Sequence, residues 1–361
     1  MKCNLIVLFV VFGLMLSSCS KQQKPLEIEE VSLVGSAKLD VPERLSEWGL
    51  FDEPLAKLIP KKGVIPYELN TPLFTDYSLK KRFIKLPENT SATYVANEVF
   101  DFPEGTILIK NFYYQKDLSK DESESQIIET RLLINEGKSW NAWTYVWNED
   151  QSDADLEIAG RNVPVSWTNE EGVIKNVNYS VPNLVQCKSC HELSGTMTPI
   201  GPSARQLNGD LHYENGIKNQ LTFWSENGML DSLPSLPTVQ KLARWDDPNS
   251  GTLDDRARAW LEINCAHCHR PEGPAKNTGL HLQASVTDYY RLGVNKPPIA
   301  AGRGSGGMKY SIVAGKPDES ILLYRISSLD PGVMMPELGR KMIHEEGVEL
   351  IRKWIAEMSD K

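Results

Sequence analysis

An α+β fold is predicted: a β-rich N-terminal domain, as an antiparallel sheet or sandwich, followed by mainly α-helical domains. Three observations predict it. Between about Thr93 and Val181 the chain is dense in β-branched and aromatic runs separated by glycine turns. From Thr252 onward the apolar spacing is that of amphipathic helices. Two copies of Cys-x-x-Cys-His, at Cys187-Lys-Ser-Cys190-His191 and Cys265-Ala-His-Cys268-His269, follow the β-rich stretch. The 361 residues, 40% hydrophobic and 24% charged, are enough for two or three domains. The expected division is a leader at 1–18, a tether at 19–40, a β-rich domain at 41–182, a first motif segment at 183–248 and a second motif domain at 249–361.

The leader begins Met1-Lys2 and continues as an apolar run from Leu5 to Leu16, interrupted by Gly13. That run is short for a bilayer span and suits the core of an export signal. It ends Leu16-Ser17-Ser18-Cys19, which resembles a bacterial lipoprotein box and implies lipidation of Cys19. An ordinary signal peptide cleaved nearby is the alternative. Either way an exported, periplasmic chain is expected, held by the lipid to a membrane that is inner or outer. Ser20 to Pro25 reads as a polar tether. The net charge is −9, and no Lys/Arg run stands out, so nucleic acid is not an expected partner.

Short helical pieces are expected from Val41 to Pro60, and an extended proline-punctuated stretch without a regular period from Gly63 to Phe74. Strands are expected at Thr106–Tyr114, Ile127–Ile134, Trp140–Trp147, Val163–Trp167 and Val173–Val181. Turns at Asn135-Glu-Gly137, Ala159-Gly160 and Glu171-Gly172 separate them. The aromatic residues of this region, Tyr113, Tyr114, Trp140, Trp143, Tyr145, Trp147 and Trp167, read as packing residues, with a ligand groove as the alternative.

Cys-x-x-Cys-His is the attachment pattern of a c-type haem. Two thiols two residues apart can each add to a porphyrin vinyl group, and the next residue donates an imidazole to iron. The competing reading is zinc, whose ribbons repeat the pair after about 15–20 residues. Here Cys265 follows Cys190 by 75 positions, and each pair has its own histidine. Of the six cysteines, Cys3 and Cys19 belong to the leader region and the other four to the two motifs. None is left for a disulfide or a nucleophile, which suits an exported chain. Two covalently attached haem c groups are therefore expected, on Cys187, Cys190, Cys265 and Cys268, with iron on His191 and His269.

The sixth ligand of the first iron stays open. Met197 is close in sequence to His191 and has little chain to cross a porphyrin, Met229 and His212 have more, and no ligand at all is the remaining option. For the second iron Met335 is expected, stiffened by Pro336, with Met334 as alternate; a thioether favours ferrous iron and raises the potential. His267 reads as exposed. His281, Arg303, Lys309 and Arg340 are weighed as partners of haem propionates. Gly302-Arg-Gly304-Ser-Gly-Gly307 matches a dinucleotide fingerprint without the flanking strand and helix it needs, so it reads as a loop.

The order helix, second motif, loops, Met-Pro and closing helix (Glu345–Met358) resembles class I cytochromes c. Gly279-Leu-x-Leu282, Val313-x-Gly-Lys-Pro-x-x-Ser320 and Trp354-Ile355 resemble their planctomycete-type subset. The whole mature chain resembles an uncharacterised family of bacterial dihaem c-type cytochromes. The likeness is carried by Leu69-Asn-Thr-Pro-Leu-Phe-x-Asp-Tyr77, Gln186–His191, Pro199-Ile-Gly-Pro-x-Ala-Arg-x-Leu-Asn208, Asn264–His269 and Met335-Pro-Glu-Leu-Gly-Arg340. The sheet region with a motif at its end faintly resembles the haem proteins of the hydroxylamine-oxidising cytochrome and β-type cytochrome c-prime group, which would imply a sheet packed over the first haem. These resemblances imply cytochrome c-like haem domains and electron transfer between periplasmic redox proteins or membrane components. The alternatives are a dihaem redox enzyme acting on peroxide or nitrogen oxides at an open first haem, and a haem-based sensor or binding module.

Overall fold

A computed structural model describes residues 40–121 and 123–359. The leader, Cys19 and most of the tether lie outside the described residues. From Pro42 onward the chain forms one compact unit.

Six strands form one antiparallel sheet in sequence order: β1 Val64–Tyr67, β2 Leu79–Lys85, β3 Ile107–Gln115, β4 Ser125–Asn135, β5 Trp140–Trp147 and β6 Ala154–Leu156. Side chains alternate between its faces. One face, with Phe83, Ile109, Leu132 and Tyr145, is closed by the N-terminal turns carrying Leu45, Leu50 and Leu55. These turns are 3-10 helices at Leu45–Trp48 and Leu55–Lys57, in place of longer helical pieces. The opposite face has three zones. At one end Ile84, Leu108 and Ala142 pack with Cys187, Met197 and Trp224 of the first motif segment. At the other end Phe112 and Val146 pack with Val165, Trp167, Val177 and Tyr179. Those last four come from a separate hairpin, β7 Arg161–Thr168 and β8 Ile174–Val181. The zone between is a cavity.

Two strands depart from expectation. Val64–Tyr67 is a strand although it contains Pro66; it pairs on one side only, and an edge strand tolerates the missing N–H. Leu79–Lys85 pairs on both sides, and its sequence hides it because Lys80, Lys81 and Arg82 interrupt the apolar alternation.

Five helices matter for the site: α1 Leu184–His191, α2 Gln220–Glu226, α3 Leu253–Leu261, α4 Ile321–Ile326 and α5 Glu345–Glu357. Only α3 and α5 exceed eight residues, so the region beyond Val181 is less helical than the sequence led us to expect. Turns and two-stranded ribbons fill much of it. Asn183 and Gln186 form a capping box on α1, as Thr252 and Asp255 do on α3. A π turn, Glu262–Ala266, continues α3 into the second motif. Ala257, Trp260 and Leu261 of α3 meet Leu350, Ile351, Trp354 and Ile355 of α5. Each large apolar side chain buried there stabilises by about 1.5–3 kcal/mol. The approach is close, since a Cβ on Gly347 would lie 2.5 Å from the Trp260 indole nitrogen.

The irregular strap from Leu69 to Tyr77 ties these parts together. Asn70 Nδ2 donates to the Arg205 carbonyl at 3.0 Å, and Thr71 Oγ1 donates to the Ala243 carbonyl at 2.6 Å. The Phe74 N–H donates to Asn264 Oδ1 at 3.0 Å. Asp76 Oδ1 accepts from the Lys341 and Met342 N–H groups at 2.6 and 2.8 Å. Phe74 also stacks on His344, whose Nδ1 accepts from Trp260 Nε1 at 2.9 Å. Burial lowers the pKa of His344 from 6.5 to about 4, against a smaller opposing pull from Glu346.

The unfolded chain therefore takes up a proton on this residue near pH 6.5, while the folded one resists until about 4. Stability is lost as pH falls through that window, by an amount on the order of 3 kcal/mol from this residue. His344→Gln is expected to shrink the difference in urea-unfolding free energy between pH 7 and pH 4.5 relative to wild type. An unchanged difference would show that His344 is not a source of acid lability.

Candidate functional site

The cavity over the sheet has a volume of about 320 Å³ and opens in part to solvent. A single small-molecule site usually has roughly 300–1,000 Å³. Its floor is the sheet, through Arg82, Leu108, Lys110, Arg131, Leu133 and Ala142. Its walls are α1 with Cys187, Cys190 and His191, the end of α3 with Trp260, Ile263 and Asn264, and the loop from Met334 to Lys341. A second space, of about 390 Å³, is bordered by Cys190, His191, Arg205, Glu262, His267 and Arg270. The first motif borders these spaces through Cys187, Cys190 and His191 and the second through Ala266 and His267, while Cys265, Cys268 and His269 border neither.

Direct bonds hold the two segments together. The Ser194 N–H, just past the first motif, donates to the Glu272 carbonyl, just past the second, at 2.9 Å. Buried Arg205 reaches Glu262 at 2.6 Å, and that carboxylate also accepts from the Ala284 N–H. Arg270 pairs with Glu98 at 2.7 Å and with Glu272 at 2.9 Å.

The four thiols are free. Burial raises all of them, Cys265 and Cys268 to about 12, and on Cys268 the neighbouring Cys190 adds to the effect. A dithiol redox enzyme needs a lowered thiol pKa, so these pairs do not suit thiol–disulfide catalysis. Burial also lowers His191 and His269 to about 4, leaving neutral rings able to act as ligands. In each ring Nδ1 is tied back. His191 Nδ1 lies 2.8 Å from the Thr198 carbonyl. His269 Nδ1 lies 3.2 Å from Thr278 Oγ1, whose own proton goes to the Ala275 carbonyl at 2.8 Å. Both bonds require the proton on Nδ1, so Nε2 carries the lone pair, the usual arrangement of a metal-ligating histidine.

The sheet floor carries a row of cations. Arg82 pairs with Lys110 and Lys110 with Arg131 across three adjacent strands. Arg82 donates to Glu68 at 2.8 Å, yet its Nη2 is buried without a partner. Arg131 donates to Glu129, which is fully buried and also accepts from the Tyr179 hydroxyl at 2.5 Å. Lys110 lies over the Phe112 ring, 4.7 Å from its centroid. Burial, with Arg82, Lys80 and Arg131 around it, pushes the Lys110 pKa well down.

The remaining sequence-predicted residues fall as follows. Met334 and Met335 border the cavity over the sheet. The Met335 N–H donates to the Arg325 carbonyl at 3.1 Å, and Arg340 Nη2 donates to the Met335 carbonyl at 2.9 Å. Arg340 thus holds the methionine loop and has its own bonds to the Met342 and Ser328 carbonyls. Met197, Met229 and His212 border neither space. Met197 sits beside Thr198, on the Nδ1 side of His191, and packs with Cys187. Met229 packs in the same core as Trp224, and His212 is exposed on a ribbon. Arg303 pairs with Asp330 at the surface. Gly302–Ser305 is a 3-10 turn without a preceding strand. His267, read as exposed, instead borders both spaces. The cation row was missed as well; its signal was Lys80 and Arg82 at two-residue spacing, matched by Lys110 and Arg131 in the neighbouring strands.

Among the described residues no group of three or more His, Cys, Asp or Glu is arranged to hold a metal ion directly. Structural zinc needs four such ligands. No helix among the described residues is long and apolar enough to cross a membrane.

Glu129→Gln is expected to destabilise the protein by roughly 1–3 kcal/mol, because it leaves the half-buried Arg131 without a counter-ion. Urea unfolding at neutral pH measures this, and a loss under 1 kcal/mol would mean that water or another anion already neutralises Arg131.

No family model matches the chain, and neither a curated protein nor a solved structure matches it.

Proposed function

We propose that this chain is an exported, lipid-anchored dihaem c-type cytochrome that passes electrons between periplasmic redox partners. The observation that carries the reading is that Cys187, Cys190 and His191 of the first Cys-x-x-Cys-His segment, His267 from within the second, and Met335 border shared space over one sheet. The residues present fit two such groups. Each segment offers two reduced thiols and a neutral imidazole with Nδ1 already engaged. The unpartnered Arg82 Nη2 and Lys110 suit the carboxylates on a porphyrin edge.

Bound haem would supply a one-electron iron centre, and the chain's own residues set its surroundings. His269 and Met335 would hold the second iron, giving it the ligand pair that raises a potential. Arg340 fixes the carbonyl of that methionine, and the packing of α3 against α5 is what the reading expects of this part. His191 would hold the first iron, with Thr198 orienting the ring. Leu108, Leu133 and Ala142 keep the floor apolar beside the cation row.

Protein exported with intact maturation machinery is expected to give two haems per chain by alkaline pyridine absorbance and by mass. Cys265→Ser with Cys268→Ser should leave one. Met335→Leu should keep both haems, abolish the weak red-region thioether–iron band and lower one of the two potentials. A mature protein without haem would refute the reading.

A further inference from the structure

We propose that Nε2 of His267 is the sixth ligand of the first iron, opposite His191, so that a residue inside the second attachment loop completes the first haem. This rests on the dihaem reading above and deepens it, since an iron closed in this way carries electrons and does not bind small molecules.

The inference starts from position. His267 occupies one of the two freely chosen places of its motif, between Cys265 and Cys268, and haem attachment there asks nothing of its side chain. Yet it borders both spaces that His191 borders. Its Nδ1 is sealed from solvent and has no hydrogen-bond partner of good geometry. The Ile263 carbonyl, one helical turn back, is the group nearest to accepting from it. A proton on Nδ1 directed at that carbonyl leaves the lone pair on Nε2, the same division of roles as in His191.

Elimination leads to the same residue. Besides His191 and His267, the cavity over the sheet offers iron five side chains of this type: His344, Met334, Met335, Lys110 and Lys341, the last of them exposed. His344 spends its Nδ1 lone pair on Trp260 and its ring face on Phe74. Met334 and Met335 share the loop that Arg340 ties down for the second iron. Lys110 stands in register between two guanidinium groups, where an anion is the fitting neighbour. The three ligands considered from sequence, Met197, Met229 and His212, do not border the space. The consequence is a short covalent route between the irons, from His267 along one peptide to Cys268 and His269.

The test uses exported holoprotein. Wild type is expected to be low-spin at both haems, with near-infrared magnetic circular dichroism of the ferric state showing one bis-nitrogen and one nitrogen–thioether centre. Carbon monoxide should leave the reduced spectrum unchanged. His267→Ala should keep two haems by mass, turn one of them high-spin and let it bind carbon monoxide. Added imidazole should restore the low-spin spectrum. The wild-type spectrum alone decides the matter if the variant does not fold. The proposal is overturned if the wild-type first haem is high-spin or takes carbon monoxide, or if His267→Ala leaves the spectra unchanged. A chain with no haem would instead remove the reading beneath it, and haem stoichiometry tells that failure apart from a wrong ligand.

Discussion

Three cations in register on adjacent strands are the constraint around which this molecule is arranged. Like charges directly opposite one another in a sheet repel, and each loses water on burial. Arg82 and Arg131 are answered by Glu68 and Glu129, while Lys110 has only the face of Phe112. No apolar layer can close over such a row. The cover of this sheet face is accordingly split, with the first motif segment at one end, the β7–β8 hairpin at the other and open space above the charges. The position of the cavity follows from the charge pattern on its floor.

The same logic explains why the strap from Leu69 to Tyr77 is irregular without being loose. It crosses the interior between the sheet and both motif segments, where every backbone polar group needs a partner. Neighbouring strands cannot supply partners in three different directions. Side chains do it instead: Gln206 accepts from the Thr71 N–H, Asn264 from the Phe74 N–H, and Asp76 turns back to collect two N–H groups from the methionine loop. Asp76 and Tyr77 adopt positive φ values of 49° and 60° to make that turn. One segment thereby fixes the first motif, the second motif and the methionine loop to the same sheet.

Much of this was legible in the sequence. Five of the six strands from Ile107 to Val181, all but the short Ala154–Leu156, announce themselves because each has at least one apolar face and a glycine turn nearby. The capping box Thr252–Asp255 and the apolar face of α5 are equally plain. What could not be read has a common cause. Strand β2 looks polar because its inward residues serve the cavity, and His267 looks exposed because half of a short motif gives no direction for its side chain. Arg340 was weighed as a propionate partner and instead spends its donors on backbone carbonyls. In each case long-range pairing decides the role, and local pattern carries no information about it. The extent of helix beyond Val181 was overread for a related reason. Turn-rich chain can be held by side-chain bonds from Arg205, Asn208 and Asn219 without regular structure.

Neutrality of the motif side chains is the last step of the argument. Thiols raised by burial and imidazoles lowered by it are all uncharged at neutral pH. Adding an S–H across a vinyl bond places sulfur on one carbon and hydrogen on the other, and turns one uncharged group into another. On the proposed reading, then, attachment adds no net charge at the sulfur atoms, and the buried site need not reorganise around them. The cation row puts positive charge beside these groups, and the groups a porphyrin brings with it are carboxylates. Neutral sites for attachment beside a positive site for the anionic edge form a consistent division of labour on one sheet face. An apolar ligand would leave Lys110 and the free Arg82 nitrogen uncompensated.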